Sequence, residues 1–291
     1  MRLLGFLSRD WSAGRWPGLL VAGLVAGVLG LVLLMAGLQA CRLPGQGGGD
    51  QLAQVKARGY LRVGTLYTIK PFGYLDDTGR PVGFDIDLIK AISQRLLGQS
   101  SHIEFVETHV PNRVSALNSK QVDFILGVVV ITPSRMARME FTQAYHHAPL
   151  RLVVRKDSLY KTAADLTGKP VGFLLGGTSD TALHRHHPGY KLSGFKNVPT
   201  EYHALLDGRL QAFGVPEGVG YGLMARSCQI RLLPDAIEAQ RYGVAFRKDP
   251  ATDTLRQAVN TIIAELEADG TLKALREKWL QEPSPDRCTS S

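Results

Sequence analysis

The sequence predicts an α/β fold with a largely parallel sheet, and two features of the chain indicate this class. From Gln51 onward, short apolar runs typical of strands alternate with longer segments in which apolar residues recur at helical spacing. A second cycle of the same alternation begins near Leu150. Strands separated by helices favour parallel pairing, because each helix carries the chain back to the starting edge of the sheet.

The first cycle contains both predicted strands and a predicted helix. We expect a strand at 61–65, a turn at 76–79, a helix with an apolar face from Ile86 to Leu96, and strands at 103–106 and 122–131.

The second cycle repeats this order and ends in helices. We expect strands at 152–154, 171–175, 212–215 and 242–246, then one helix with an apolar stripe from Leu255 to Leu266 and another from Leu272 to Trp279. Asp269 and Gly270 separate the two helices, and Pro283 begins the tail.

Composition and charge narrow the functional classes. The 291 residues are 44% hydrophobic and 21% charged, which is ordinary for a globular protein. The formal net charge of +8 is scattered along the chain rather than concentrated in a basic stripe. We therefore expect no nucleic-acid partner. The excess positive charge indicates either a soluble basic surface or a surface that favours an anionic ligand.

The N-terminal segment, residues 1–41, predicts export. Three arginines precede an apolar run over 17–38, and Leu38-Gln39-Ala40-Cys41 follows. This ending resembles a lipobox, which implies cleavage before Cys41 and lipid attachment to its thiol. An uncleaved membrane anchor and simple secretion remain alternatives, since the apolar run is long enough to span a bilayer. In each case the Gly-rich residues 42–50 form a flexible linker to an extracytoplasmic domain.

Two cysteines remain after the leader. In an oxidising compartment, Cys228 and Cys288 predict a disulfide more readily than a metal or catalytic site, and two buried thiols are the alternative.

A set of short motifs, in fixed order and close spacing, resembles a known family. The motifs lie at 61–64, 71–72, 83–88, 122–125, 131–135, 139–142, 165–169, 176–178, 208–210, 242–245 and 268–271. Together they are similar to the family 3 solute-binding proteins, the polar amino-acid receptors of ABC importers, over about Gln51 to Gln281. The resemblance implies two α/β lobes joined by two crossing strands, with a small ligand in the cleft, an ABC permease as partner and a monomeric receptor.

The resemblance also divides the chain. It implies a first lobe over residues 51–146, a second lobe over 147–241, a return to the first lobe over 242–282 and a tail over 283–291. The glutamate receptor cores that share this fold carry a disulfide where Cys228 and Cys288 stand.

The resemblance assigns ligand-binding residues one by one. Arg135 matches the family arginine that grips the ligand carboxylate through two parallel hydrogen bonds. Thr178 lies in a Gly-rich turn before a helix and is expected to meet the same carboxylate. Arg113 resembles the arginine that acidic amino-acid receptors use for a second carboxylate, with a surface position as the alternative. The remaining candidates on matched motifs are Phe72 and Thr132.

Several positions depart from the family pattern. Val128 and Val130 replace small polar residues, and Ile69 stands where a stacking aromatic is usual, with Tyr67 two residues away as the substitute candidate. Pro216 replaces the acid that binds the ligand ammonium. Either the adjacent Glu217 takes over that role, or the ligand lacks an amine, as a dicarboxylate would.

The remaining polar motifs predict structure rather than chemistry. Asp85 and Asp87 are expected to serve the start of a helix. Clustered histidines at 184–187 and 146–147 are expected on a solvated surface rather than around a metal. We expect no cofactor and no enzymatic activity. A periplasmic enzyme of the dehydratase kind, with Glu217 or Asp180 as general acid, and a sensory domain are the alternatives.

Overall fold

A computed structural model describes residues 49–284. The predicted leader with its lipid site at Cys41, most of the linker, and Cys288 in the tail lie outside the described residues. Cys228 directly precedes a strand of the second lobe, and its pairing with Cys288 stays a prediction. Within residues 49–284, no helix is long and apolar enough to cross a membrane.

The first lobe combines a parallel sheet with flanking helices. Strand β1 lies between β5 and β6 and pairs in parallel with both. A small antiparallel sheet of β2, β3 and β4 lies beside it. The elements are α1 (Gln51–Arg58), β1 (Leu61–Thr65), β2 (Thr68–Ile69), β3 (Gly73–Leu75), β4 (Pro81–Val82), α2 (Phe84–Leu97), β5 (Ile103–Glu107), α3 (Arg113–Asn118), β6 (Phe124–Ile125) and α4 (Pro133–Met136).

The second lobe repeats the architecture with fewer strands. Strand β8 pairs in parallel with β9 and β10, and helices cover the sheet. The elements are a 3-10 turn (Ala163–Leu166), β8 (Pro170–Leu174), α5 (Ser179–His186), β9 (Lys191–Phe195), α6 (Val198–Leu206), β10 (Ala212–Pro216), α7 (Glu217–Met224) and β11 (Ile230–Leu232).

Two long strands join the lobes: β7 (Met139–Arg155) and β12 (Glu238–Arg247). They pair antiparallel with each other, and at Leu150 the partner of β7 changes from β12 to β10 and β11. The resulting strand order is β5-β1-β6-β12-β7-β10-β8-β9. This arrangement confirms the predicted two-lobed α/β class with two crossing strands.

The chain ends by returning to the first lobe. After a 3-10 turn (Pro250–Thr252), helices α8 (Asp253–Ala268) and α9 (Thr271–Trp279) pack against α2. The predicted apolar stripe of α8, from Leu255 to Leu266, is buried. Each such aliphatic side chain contributes about 1.5–3 kcal/mol on burial, so this stripe fixes the return of the chain.

The segment predicted as one strand over 122–131 differs in the structure. Strand β6 ends at Ile125, and Val128 has a left-handed backbone with φ of 50°. The N–H of Val128 donates to the buried Asp85 carboxylate at 3.1 Å, and the Tyr145 hydroxyl donates to the other oxygen at 3.1 Å. Asp85 therefore holds the chain in a bend that a continuous strand could not adopt.

Candidate ligand-binding site

A cavity of about 50 Å³ lies between the two lobes, at the level of the crossing strands. Residues from both lobes and from β7 and β12 line it. A wider mouth of about 700 Å³ opens beside it between α4 and α5. A ligand held at such a boundary is removed from water, so the few polar groups there act strongly on it.

Arg135 lines the cavity from the first lobe, on the short helix α4. Thr132 caps this helix, with its hydroxyl accepting the N–H of Arg135 at 3.2 Å. The guanidinium donates to the carbonyl of Val130 at 3.0 Å and, across the cleft, to the carbonyl of Gly176 at 3.2 Å. Burial lowers the pKa of Arg135. Backbone carbonyls therefore aim this guanidinium into the cleft without neutralising it.

Arg113 is the second cation of the cavity and begins helix α3. Its side chain is buried, and its Nε donates to the carbonyl of Val110 at 3.3 Å. Its Nη1 is buried without a hydrogen-bond partner in the described structure. Burial, and then the charge of Arg135, lower the pKa of Arg113 to about 9. The alternative prediction of a surface position for Arg113 is therefore wrong. The guanidinium groups of Arg113 and Arg135 repel each other within the cavity.

The second lobe offers neutral donors at the start of α5. Thr178 and Ser179 line the cavity at this helix N-terminus. Gly176 has a left-handed φ of 73°, and a side chain there would approach Val110 of the first lobe to 3.2 Å. Glycine therefore permits both the tight turn and the close approach of the lobes.

Gln240 on β12 was not predicted, although it lines the cavity and orients Thr178. The Tyr242 hydroxyl donates to its amide oxygen at 3.0 Å, and its amide nitrogen donates to the Thr178 hydroxyl at 2.8 Å. Gln240 belongs to neither a motif nor a helix start, and it reaches the cleft only because β12 crosses between lobes. No local sequence signal marks it.

The four departures from the family pattern all face the cavity. Ile69, Val128, Val130 and Pro216 are among its lining residues. The departures therefore lie at the cavity itself, where Val128, Val130 and Pro216 replace polar side chains with apolar ones and Ile69 replaces an aromatic ring with an aliphatic side chain.

Three predicted candidates lie elsewhere among the described residues. Phe72 is buried in the first-lobe core against Phe84, with ring centroids 5.9 Å apart. Tyr67 is half-buried and is not among the lining residues of the cavity or its mouth. Glu217 is likewise absent from that lining, and its carboxylate lies 3.0 Å from the guanidinium of Arg151.

The clustered acids and histidines are engaged in local contacts. Asp87 accepts hydrogen bonds from Lys278 at 2.8 Å and from the indole of Trp279 at 2.9 Å, so it ties α2 to α9 rather than capping a helix. His184 pairs with Asp180 at 2.8 Å on the exposed side of α5. Within residues 49–284, no three potential metal-binding side chains converge.

Comparisons with known proteins agree with this geometry. The family model of the bacterial extracellular solute-binding proteins, family 3, matches residues 61–282. The L-cystine-binding protein of Escherichia coli is 32% identical over 251 residues, covering 85% of this chain and 91% of that protein. The glutamine-binding protein of Geobacillus stearothermophilus is 30% identical over 204 residues, covering 69% of this chain and 78% of that protein.

Solved structures show the same architecture. The solute receptor for L-cysteine of Neisseria gonorrhoeae has a TM-score of 0.73 and 30% identity, covering 81% of this chain and 97% of that one. The ancestral amino-acid-binding protein described as a precursor of cyclohexadienyl dehydratase has a TM-score of 0.72 and 31% identity, covering 79% of this chain and 100% of that one.

Proposed function

Because the chain belongs to the bacterial extracellular solute-binding proteins of family 3, we propose that it is the receptor of an ABC importer and encloses a small carboxylic acid between its lobes. One observation carries this proposal. Arg135 of the first lobe reaches across the cleft to Gly176, three residues before α5 begins at Ser179. A guanidinium facing a helix N-terminus provides a charged fork and backbone donors for one carboxylate.

The two crossing strands supply the mechanism of closure. Strands β7 and β12 are the continuous covalent paths between the lobes, so bending within them moves one lobe against the other. A ligand that contacts both Arg135 and Thr178 interacts fully only when the lobes are together. Binding therefore shifts the population toward the closed form, which is the form a permease would recognise.

The relatives support a ligand of amino-acid size. Their names describe proteins that bind cystine, glutamine, histidine and arginine. These ligands share an α-carboxylate and an α-ammonium group and differ in their side chains. Arg135 would meet the shared carboxylate, and the lining of the cavity contains no acid for the shared ammonium group.

We place the receptor outside the cytoplasm and tethered to the membrane. The curated relatives include histidine-binding periplasmic proteins. The lipobox-like residues ending at Cys41 supply the tether. Radiolabelled palmitate should label the full-length chain expressed in bacteria and should not label Cys41→Ala. Labelling of both proteins, or of neither, would contradict the tether.

Binding is favoured over catalysis by the chemistry of the cavity. None of its lining residues carries a carboxyl group, and the two acids considered as general acids have other partners. Glu217 faces Arg151, and Asp180 pairs with His184. A dehydration of the substrate would need a proton donor that this lining does not present.

Calorimetric titration of the full-length protein in mild detergent tests the proposal. The panel contains small carboxylic acids with and without amino groups. At least one acid should bind, and Arg135→Ala should weaken it roughly 100-fold or more, because a buried charged hydrogen-bonding pair is lost. Arg80→Ala is the matched control, since Arg80 is exposed in a turn of the same lobe. Binding unaffected by Arg135→Ala would contradict the proposal.

A further inference from the structure

The cavity is rich in hydrogen-bond donors and poor in acceptors. We infer that the ligand is a dicarboxylic acid without an amino group, with a short hydrocarbon body between its two carboxylates. The inference rests on the receptor function proposed above and narrows its ligand class. It follows from four independent features of the site: paired cations, a fixed hydroxyl, the absence of a negative side chain and apolar walls.

The positive charge of the cavity has no acidic counterpart among the residues that line it. Arg113 and Arg135 are the charged residues of its lining, and the lining contains no aspartate or glutamate. Each guanidinium otherwise meets backbone carbonyls only, and Nη1 of Arg113 meets none. Two buried cations that repel each other are best balanced by a ligand with two negative charges.

The hydroxyl of Thr178 accepts a hydrogen bond from Gln240 and keeps its own proton to donate. The amide oxygen of Gln240 already accepts from Tyr242, so its amide nitrogen faces Thr178 and occupies a lone pair of that hydroxyl. The hydroxyl proton must then point elsewhere, toward an acceptor. A carboxylate can accept this proton, whereas an ammonium group has no lone pair with which to accept it.

An ammonium group would find no charged acceptor in the cavity. Pro216 contributes a ring without an acceptor, and Val128 and Val130 contribute methyl groups. The carboxyl of Glu201 on α6 is buried but does not belong to the lining, and burial raises its pKa to about 9, which keeps it neutral at pH 7. A buried ammonium without a partner is strongly unfavourable.

The walls between the polar groups are hydrocarbon. The apolar residues of the lining include Leu66, Ile69, Val128, Val130, Val215 and Val219. Hydroxylated or amide-bearing ligand bodies would lose hydrogen bonds with water against these side chains. A chain of methylene groups loses none, so the walls favour a hydrocarbon spacer.

The mouth of the cleft has the same charge preference. Besides the two cavity arginines, Arg138, Arg185 and Arg241 line it, and Glu238 is the acid among its lining residues. Glu238 is already paired with Arg185 at 2.9 Å. This mouth attracts dianions from solution and disfavours cationic ligands.

Matched pairs of ligands test the inference by calorimetry on the full-length protein. The pairs are succinate with aspartate, glutarate with glutamate, and adipate with 2-aminoadipate, and pentanoate serves as the monocarboxylate. In at least one pair the amine-free diacid should bind roughly 100-fold more tightly than its amino acid. It should also bind roughly 100-fold more tightly than pentanoate, which leaves one guanidinium unpaired.

Each other outcome has a distinct meaning. Equal or tighter binding of the amino acids would overturn the inference and leave the receptor function intact. Equal binding of pentanoate and glutarate would overturn the requirement for a second negative charge. A panel in which no compound binds would contradict both the inference and the proposed receptor function.

A gain-of-function variant tests the same point from the protein side. Pro216 occupies the N-cap position of α7, where aspartate and asparagine are both favoured. Pro216→Asp should bind glutamate roughly 10-fold more tightly than Pro216→Asn does and should bind glutarate more weakly. The asparagine variant has the same shape without the charge. If both variants bind glutamate equally, Pro216 does not exclude the amine and the inference fails.

Discussion

The two walls of the cleft differ in charge, although each is built from the same kind of α/β lobe. The first lobe presents two guanidinium groups, from Arg113 and Arg135, on short helices that follow its strands. The second lobe presents Thr178 and Ser179 at a helix N-terminus, with apolar side chains around them. All the formal charge of the cavity therefore comes from one side.

This difference indicates an order of events. An anion entering the open cleft interacts first with the charged first lobe, because charge acts over a longer distance than hydrogen bonding. The neutral donors of the second lobe act only at contact distance, so they add affinity when the lobes close. On the proposed function, the first wall would select the ligand by charge, and the second wall would stabilise the closed form. The following predictions test this division, from the largest expected effect to the smallest.

Arg113→Met should change binding and stability in opposite directions. Methionine keeps an unbranched side chain in the buried site and removes a charge that has no acidic partner. Ligand affinity should fall about 100-fold, because one ligand carboxylate loses its counter-charge. The ligand-free protein should melt at a higher temperature, because burial already disfavours this charge and lowers the pKa of Arg113 to about 9. Calorimetric titration and thermal unfolding measure the two effects.

Arg80→Met is the control for this variant, since Arg80 is exposed in the same lobe. It should change neither quantity appreciably. A destabilised Arg113→Met protein with unchanged affinity would show that Arg113 serves the fold, and the charge difference between the walls would then reduce to Arg135 alone.

The buried acid Asp85 supports the first wall by holding the bend at Val128. Asp85→Asn should therefore change how the free energy of unfolding depends on pH. Burial raises the pKa of Asp85 to about 7, although its two hydrogen bonds oppose this shift. Because the folded pKa exceeds the unfolded one, the contribution of Asp85 to stability is full below about pH 4 and is lost as the pH rises through about 7.

The free energy of unfolding of the wild type should therefore fall between pH 5 and 8 by roughly 2 kcal/mol more than that of Asp85→Asn. Urea unfolding at the two pH values measures this difference. Asparagine can still accept from the N–H of Val128 and can donate to Tyr145, so the bend is preserved. Asp77 is exposed, so the free energy of unfolding of Asp77→Asn should depend on pH as that of the wild type does. An equal pH dependence in all three proteins would contradict the raised pKa of Asp85.

Much of the fold could be predicted because its signals are local. The strand at Leu61–Thr65 matches its predicted bounds, and the apolar stripe of α8 is buried as expected. Strand β7 extends from Met139 to Arg155, whereas the sequence indicated only 152–154. The extra length reflects pairing with β12, which lies about 100 residues away, and a local pattern carries no information on a distant partner.

The binding site was only partly predictable, because local patterns do not show which distant segments meet at the cleft. Arg135 and Thr178, which the family resemblance predicted as ligand-binding residues, line the cavity, and so does Arg113, for which a surface position was the alternative. Gln240 was missed because a crossing strand brings it there. Glu217 follows Pro216 directly, yet α7 begins at Glu217 and its carboxylate faces Arg151 instead of the cavity. Adjacency in sequence does not determine direction once a helix begins.

On the second wall, Thr178→Val should weaken ligand binding about 10-fold or more, because a hydrogen bond to a charged group contributes about 1.5–3 kcal/mol. The variant also leaves the amide nitrogen of Gln240 without its partner at 2.8 Å. Since the second wall contacts the ligand only after the lobes close, Thr178→Val should lower the affinity by raising the dissociation rate. Stopped-flow kinetics measures this rate. Thr178→Ser retains the hydroxyl and should behave like the wild type. An equal loss in the association rate would contradict the order of events inferred from the two walls.

The smallest effect is expected at the mouth of the cleft, where Arg138→Ala removes an exposed charge that lines the approach. Because a solvated charge contributes to attraction but forms no closed contact, the association rate of a dianionic ligand should fall about 2- to 3-fold at low ionic strength. The difference should vanish above about 0.5 M salt, where the screening length falls to a few ångströms. Arg80→Ala, whose side chain lines neither the cavity nor its mouth, should show no such salt-dependent change. A defect that persists at high salt would instead mean that Arg138 touches the bound ligand, which would extend the charged wall of the first lobe from the cavity to its entrance.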